Sequence, residues 1–246
     1  MIKMALVLPD IHHPFQDKKC MAAIFQWLKD YGKKLAYLVL LGDQMEFETV
    51  SYWLQDKKRP LEGKRLKKEY QRFKEEILWP LEKLVSEDCH KIYFWGNHEK
   101  RTEDAIDKNP QLEGYGEPEN NLPLNEWEVI PFNEIYKLGK LWLMHGVNWN
   151  KYHAAKTVDE YGRSVLYGHS HDIQEFTKVT PKDTEPHKGK SIGCLCDLNP
   201  SWKRGRPNRW VHAFSVIYLY GDGWFNEYTI NIIKGKFVWN GKLYGG

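Results

Sequence analysis

No apolar run in this chain approaches the ~20 residues needed to cross a bilayer, so a membrane-spanning protein is not expected. Cysteine is scarce. Cys20, Cys89, Cys194 and Cys196 are too few and too scattered for a disulfide framework. Charge of one sign is lacking too: a net +3 is too small to imply nucleic-acid or membrane binding by itself. Met1 to Pro9 lacks the length and cleavage site of a signal peptide, and a cytoplasmic, soluble protein is expected. There is no internal repeat and no linker, so one domain over residues 1–246 is expected.

What is present is a folding sequence. Hydrophobic residues make up 41% and aromatics 14%, enough for the full core of one sizeable α/β domain. Charge is uneven: Lys57 to Lys74 holds nine Lys/Arg against two Glu, read as a solvated helix face in preference to a binding surface. Cys194 and Cys196 would share one face of a strand; reduced core thiols are expected, with a metal pair as the alternative.

The stretch Lys91-Ile-Tyr-Phe-Trp-Gly-Asn-His-Glu99 organises the rest. Ile92 to Trp95 predicts a buried strand that Gly96 stops, and Asn97, His98 and Glu99 follow at once. Such side chains at the end of a buried strand need partners, and strand ends are where open α/β sheets bind ligands. The pattern recurs. Met4 to Leu8 leads to Asp10-Ile-His12-His13, and Leu35 to Leu41 to Gly42-Asp43-Gln-Met-Glu46. Leu141 to Met144 leads to His145-Gly146, and Ser164 to Tyr167 to Gly168-His169-Ser-His171.

Between these, Cys20, Ile24, Trp27, Leu28 and Tyr31 predict an amphipathic helix, capped by Asp17 and ended at Gly32. Lys57 to Glu87 reads as mostly helix, bent or interrupted by Pro80 near Glu76. Asn109 to Asn125 reads as a surface loop, and His153 to Tyr161 as a short helix closed by Gly162. In the last third, Val211–Tyr220, Trp224–Ile233 and Phe237–Tyr244 are β-rich, joined by tight turns. They are expected to form an antiparallel sheet packed on the first. The expected fold is α/β, a two-sheet β-sandwich flanked by helices, with a motif core over 4–175 and a β-rich part over 190–246.

Oxygen and imidazole donors without thiolates suit Mn, Fe, Co or Zn better than Ca, and argue against a structural zinc. They are too many for one ion and about right for two sharing a carboxylate. Taken together, Asp10-x-His12, Gly42-Asp43-x-x-Glu46, Gly96-Asn97-His98-Glu99, His145-Gly146 and Gly168-His169-x-His171 resemble the five ordered motifs of calcineurin-like metallophosphoesterases. The resemblance spans residues 10 to 171 and implies that family's four-layer fold.

It also implies two divalent transition-metal ions, manganese foremost, with iron, zinc, cobalt or nickel as alternatives. Asp10, His12 and His171 would hold one ion, Asn97, His145 and His169 the other, and Asp43 would bridge. His98 would not be a ligand. Helped by Asp43, it would protonate the leaving oxygen or stabilise the charged phosphoryl, while a hydroxide supplied by the metals attacks phosphorus in line. Glu46 departs from the Asp common in the family, at a position that is usually not a primary ligand. Arg101 is a candidate for a phosphate oxygen, with an exposed ion pair as the alternative. His13 reads as structural.

Protein Ser/Thr phosphatases of this superfamily carry Gly-Asp-x-Val-Asp-Arg-Gly; Gly42 to Glu48 lacks that arginine, which disfavours a protein phosphatase. Asn199 to Trp210 interleaves Lys203, Arg204, Arg206 and Arg209 with Trp202 and Trp210, a composition able to track a nucleic-acid backbone and stack bases. An exposed basic loop with anchoring tryptophans is the alternative. The expected activity is phosphodiester hydrolysis on nucleotides or nucleic acid. A broad phosphomonoesterase is the runner-up, and a non-catalytic binding protein comes third.

Overall fold

The computed structural model describes residues 2–181, 185–200 and 203–246. Strand β1 (Lys3–Leu8) is buried from Met4 onward. Asp17 then caps α1 (Lys18–Tyr31), its Oδ1 accepting the Cys20 N–H at 2.9 Å. Cys20, Ile24, Trp27 and Leu28 form the buried face, as their spacing predicts. Gly32 ends α1 but not as a left-handed cap: its φ is −56°. A Cβ there would come within 2.2 Å of the Leu84 carbonyl oxygen, so close approach requires the glycine.

After β2 (Leu35–Leu40) come α2 (Lys58–Leu61), α3 (Leu66–Phe73) and α4 (Trp79–Leu84). As expected of Pro80, the α-helix gives way near Glu76. α3 passes into α4 through a π-helical turn, Lys74–Leu78. Proline offers no N–H to the Glu76 carbonyl and crowds it, and the widened turn absorbs the mismatch. Then follow β3 (His90–Phe94), α5 (Asn97–Lys108), α6 (Pro118–Asn121) and β4 (Trp127–Ile130). The expected loop at 109–125 is more structured than its composition suggests. It holds α6 and a 3-10 turn at Pro110–Leu112, buries Leu122 and Leu124, and its Gly116 carbonyl accepts the Tyr70 hydroxyl at 2.7 Å.

The remaining elements are β5 (Tyr136–Leu138), β6 (Leu141–Met144), α7 (His153–Tyr161), β7 (Ser164–Tyr167), β8 (Ile173–Lys178) and β9 (His187–Ile192). β10 (Ala213–Leu219), β11 (Phe225–Asn231), β12 (Phe237–Trp239) and β13 (Lys242–Tyr244) complete the chain. One sheet has the order β11-β10-β1-β2-β3-β4 and the other β5-β6-β7-β9-β8. The sandwich is as expected, but its membership differs. The C-terminal strands β10 and β11 extend the first sheet, β10 pairing antiparallel with β1, and the second sheet comes from residues 136–192. The reason lies in β10, Ala-Phe-Ser-Val-Ile-Tyr-Leu, which is buried almost throughout. Such a strand belongs inside a covered sheet, where both faces are apolar.

Val7, Val39, Ile92 and Phe94 meet Leu141, Leu143 and Leu166 between the sheets. On the other face of the first sheet, Leu6, Leu40 and Tyr93 pack with Ile24, Trp27, Phe73 and Leu81 of the helices, and with Phe237 and Tyr244 of the β12–β13 hairpin. α7 covers the outer face of the second sheet through β7, β8 and β9. Parallel strands β1, β2 and β3 end side by side at one edge, and the parallel pair β6–β7 ends opposite them. No helix among the described residues is long and apolar enough to cross a membrane.

Candidate metal centre

The five loops that leave these strand ends converge. Asp10, His12, Asp43, His169 and His171 all have positive φ, between 46° and 65°. Such backbone is uncommon for residues with a Cβ, and costs ~1–3 kcal/mol each in sparsely populated regions. Two glycines make the approach possible. A Cβ at Gly96 would lie 2.1 Å from Asp43 Oδ1, and one at Gly168 would lie 2.2 Å from Asp10 Oδ2.

The donors fall into two groups with Asp43 between them. In one, His12 Nε2 and His171 Nε2 are 3.1 Å apart, and Asp10 Oδ1 is 3.2 Å from His171 Nε2 and 3.9 Å from His12 Nε2. In the other, Asn97 Oδ1 is 3.2 Å from His145 Nε2, and His169 stacks edgewise on His145 with ring centres 5.1 Å apart. Asp43 accepts the His98 N–H on Oδ1 at 2.9 Å. Its Oδ2 faces His145 Nε2 at 3.3 Å and His12 Nε2 at 3.7 Å, within reach of both groups.

Outer contacts aim the rings. His12 Nδ1 donates to Glu46 Oε2 at 2.8 Å and His145 Nδ1 to the Leu41 carbonyl at 2.9 Å, which turns each Nε2 inward. Cys196 Sγ lies 3.8 Å from His171 Nδ1. Both Asp10 oxygens accept the His169 N–H, at 3.1 and 2.9 Å. Inward-facing imidazole nitrogens and carboxylate oxygens, with His12, His145 and His171 contacted from behind, fit divalent transition-metal ions. His12/His171/Cys196 and Asp43/His145/His169 are each compact enough to hold one.

Electrostatics agree with that design. Burial opposes charge on His145, but Asp43 and the Leu41 carbonyl outweigh it and push its pKa up to about 10. Burial likewise opposes charge on His12 and His171, yet Glu46 raises the first to about 9, and Cys196 and Asp10 raise the second to about 10. Against its own burial, Asp43 is held well below the carboxylate range by His145, His98 and His12. Burial and the cationic His145 instead push His169 down to about 4.

His98 stands beside this centre. Its Nδ1 donates to the Glu46 carbonyl at 3.1 Å, and its Nε2 lies 2.7 Å from Arg101 Nη2 and 3.8 Å from Asp43 Oδ2. Arginine can only donate, so Nε2 accepts and the imidazole is neutral. Burial first, then Arg101 and His12, push its pKa down to about 4. Arg101 is not an exposed ion-pairing residue: it also donates to the Glu46 carbonyl at 2.7 Å and lies 3.3 Å from Glu46 Oε1.

The basic segment reaches the centre through Trp210, whose ring is 4.3 Å from that of His171. Lys203 Nζ sits 3.8 Å above the Trp210 ring, and Arg209 Nε is 4.0 Å from Asp172 Oδ2. Arg204 and Arg206 are exposed, and Trp202 lies outside the described residues. His13 is buried, with Nε2 3.2 Å from Glu76 Oε2.

Sequence reasoning assigned no role at the site to three residues. Glu99 accepts the N–H groups of Asp43, Gln44 and Gly96 and the Tyr93 hydroxyl, holding two motif loops together. Its place five residues after the β3 strand end was the available signal. Cys196 comes from a distant segment and carried none toward His171. Trp149 was legible only as the aromatic that follows His145-Gly146; it is exposed, and its ring is 5.6 Å from His169.

The two-sheet sandwich thus gathers aspartates, an asparagine and histidines at one strand-end edge. The family model for calcineurin-like phosphoesterases matches residues 5–230, and the chain belongs to that family, whose members depend on metal. Gene 54 proteins of Mycobacterium phages L5 and D29 are each 24% identical over 259 aligned residues, covering 99% of both chains. Among solved structures, Pseudomonas putida nuclease MPE is similar at TM-score 0.38 and 12% identity, covering 87% of this chain and 83% of that one. Haemophilus influenzae NAD nucleotidase is similar at TM-score 0.40 and 12% identity, covering 97% and 59%. Neither structural likeness bears on the substrate.

Proposed function

We propose that the protein is a dinuclear-metal phosphodiesterase acting on nucleotides or nucleic acid. Asp10, His12 and His171 would hold one ion and Asn97, His145 and His169 the other, with Asp43 Oδ2 within reach of both groups. The observation that carries this reading is the placement of that oxygen within 3.7 Å of the Nε2 atoms of both His12 and His145. Two such ions supply a Lewis-acid clamp and a nucleophile at neutral pH.

The chain's own groups do the rest. Glu46 and the Leu41 carbonyl fix the tautomers of His12 and His145. Arg101 occupies His98 Nε2 until a phosphoryl oxygen draws the guanidinium away; the freed nitrogen, 3.8 Å from Asp43 Oδ2, then takes up a proton from solvent and, so charged, serves the leaving oxygen or the phosphoryl charge. Lys203, Arg204, Arg206 and Arg209 hold further phosphates of a longer substrate, with Trp210 lining the path between them and the centre. Side-by-side turnover of diester and monoester substrates with Mn²⁺ tests the proposal. Monoesters hydrolysed far faster than any diester would replace it with a broad phosphomonoesterase.

A further inference from the structure

We infer that Trp149 is a nucleobase-stacking subsite beside the metal centre, which makes the substrate a single strand held by its bases as well as its phosphates. This rests on the phosphodiesterase reading for the phosphate, and on separate geometry for the base. Trp149 is 71% exposed, yet its ring lies 5.6 Å from His169 at an interplanar angle of 67°. One edge is committed to the metal-site loop, and most of the indole faces water.

The turn beneath it is anchored. Asn148, buried, donates to Glu160 Oε2 at 2.8 Å and to Thr157 Oγ1 at 3.3 Å. On the other side, Asn150 Oδ1 accepts the Tyr152 N–H at 2.9 Å, and the Lys151 carbonyl accepts Gln174 Nε2 at 3.0 Å. An indole held out on a fixed turn contributes little to the core. Single exposed aromatics occur on any surface, but this one touches a side chain of the metal centre.

Trp210 supplies the counterpart, 4.3 Å from His171. His169 and His171 leave the same loop, so the two indoles flank the centre on its His169 and His171 sides. A planar π surface beside a phosphoryl site matches a ligand with a π-face one sugar away from its phosphate. A nucleotide has one; a sugar phosphate or an aliphatic phosphoester does not. Stacking tolerates every base, so the strand would be bound with little sequence preference.

The test uses Mn²⁺-loaded parent, Trp149→Ala and Trp149→Phe on two matched pairs of probes. One pair is a single-stranded oligonucleotide and an abasic strand of equal length; the other is a nucleoside monophosphate and ribose 5-phosphate. KM is measured wherever there is turnover, and Kd by fluorescence anisotropy for both labelled strands. The parent's preference for the base-bearing member should shrink about tenfold in Trp149→Ala, the order expected of one stacked base. The change should reside in KM, and Trp149→Phe should restore most of it. Equal changes on base-bearing and base-free probes, or no change on either, would overturn the subsite. The diester reading fails separately, if the parent turns over monophosphates far faster than strands. A base preference lost in Trp149→Ala on the monophosphate pair would then still support stacking.

Discussion

Loading the metal centre near pH 7 should expel about two protons per chain, because the metal-free donors hold protons where metals must bind. His145 shows this most directly. Its Nδ1 faces the Leu41 carbonyl, and its Nε2 faces Asn97 Oδ1 at 3.2 Å and Asp43 Oδ2 at 3.3 Å. All three partners accept, so both ring nitrogens carry protons, consistent with a pKa near 10. The second proton lies in the His12–His171 pair. Their Nε2 atoms are 3.1 Å apart, so one N–H fits between them and not two.

Removing a proton from a group at about 10 and from another at about 9 costs roughly 7 kcal/mol in all at pH 7, or ~10⁵-fold in apparent affinity. The sign follows from both shifts being upward. Metal affinity should climb by about two log units per pH unit above pH 7, and flatten as pH passes 9 and then 10. His145 and the proton of the His12–His171 pair also stabilise the metal-free fold below the ordinary histidine pKa of ~6.5, and that contribution is lost as pH rises through about 9 to 10. Calorimetric titration of chelator-stripped protein with Mn²⁺, in buffers of different ionisation enthalpy, counts the protons. Release of fewer than one, or an affinity flat between pH ~6.5 and ~8, would refute the reasoning.

Three further outcomes are expected. Mn²⁺-loaded parent should carry close to two ions by elemental analysis and Asp43→Asn should lose most of them along with activity; at most one ion at saturating metal would sink the dinuclear proposal. His98→Ala should keep its metals and lose ~10²–10⁴-fold in rate, more on an alkyl ester than on a nitrophenyl ester, and equal losses would contradict a leaving-group role. Replacing Lys203, Arg204, Arg206 and Arg209 by Ala should lower the salt dependence of single-strand binding by ~0.7 in log–log slope per lost phosphate contact, whereas a slope equal to the parent's would assign the segment to the surface alone.

The donor loops were readable from sequence because each follows a short buried strand, and polar residues there have few other reasons to occur. β1, β6 and β7 end where the apolar runs end, and β2 and β3 one residue earlier. Sheet membership was harder. Val211 to Tyr220 has the composition of a strand, but the sequence does not say whether its neighbour is β11 alone or also β1, 200 residues earlier. Only pairing of Met4 with Tyr218 and Val7 with Ser215 decides that. The effect of Pro80 near Glu76 was legible for a local reason, the bond that proline cannot complete, but the sequence does not say that a π turn and not a break would absorb it. Contacts from distant segments, such as Cys196 on His171 and Trp210 beside it, leave no trace in spacing at all.

The substitution of Glu46 for the more common aspartate now has a physical meaning. Its Oε2 accepts the His12 Nδ1–H at 2.8 Å, its Oε1 lies 3.3 Å from Arg101, and its carbonyl accepts from both Arg101 and His98. One residue thus touches a proposed ligand and both groups proposed to meet the phosphoryl. Despite burial, His98, His12 and Arg101 hold its carboxyl down to about 2, so it remains an anion across the working range. A shorter carboxylate on the same backbone would stop one methylene nearer the chain and could not keep both side-chain contacts at these lengths. The extra methylene therefore couples the orientation of His12 to the position of Arg101. A substrate that draws Arg101 away from His98 also pulls on the anion that aims His12, so binding at the phosphoryl and the set of the metal donors are linked through a single side chain.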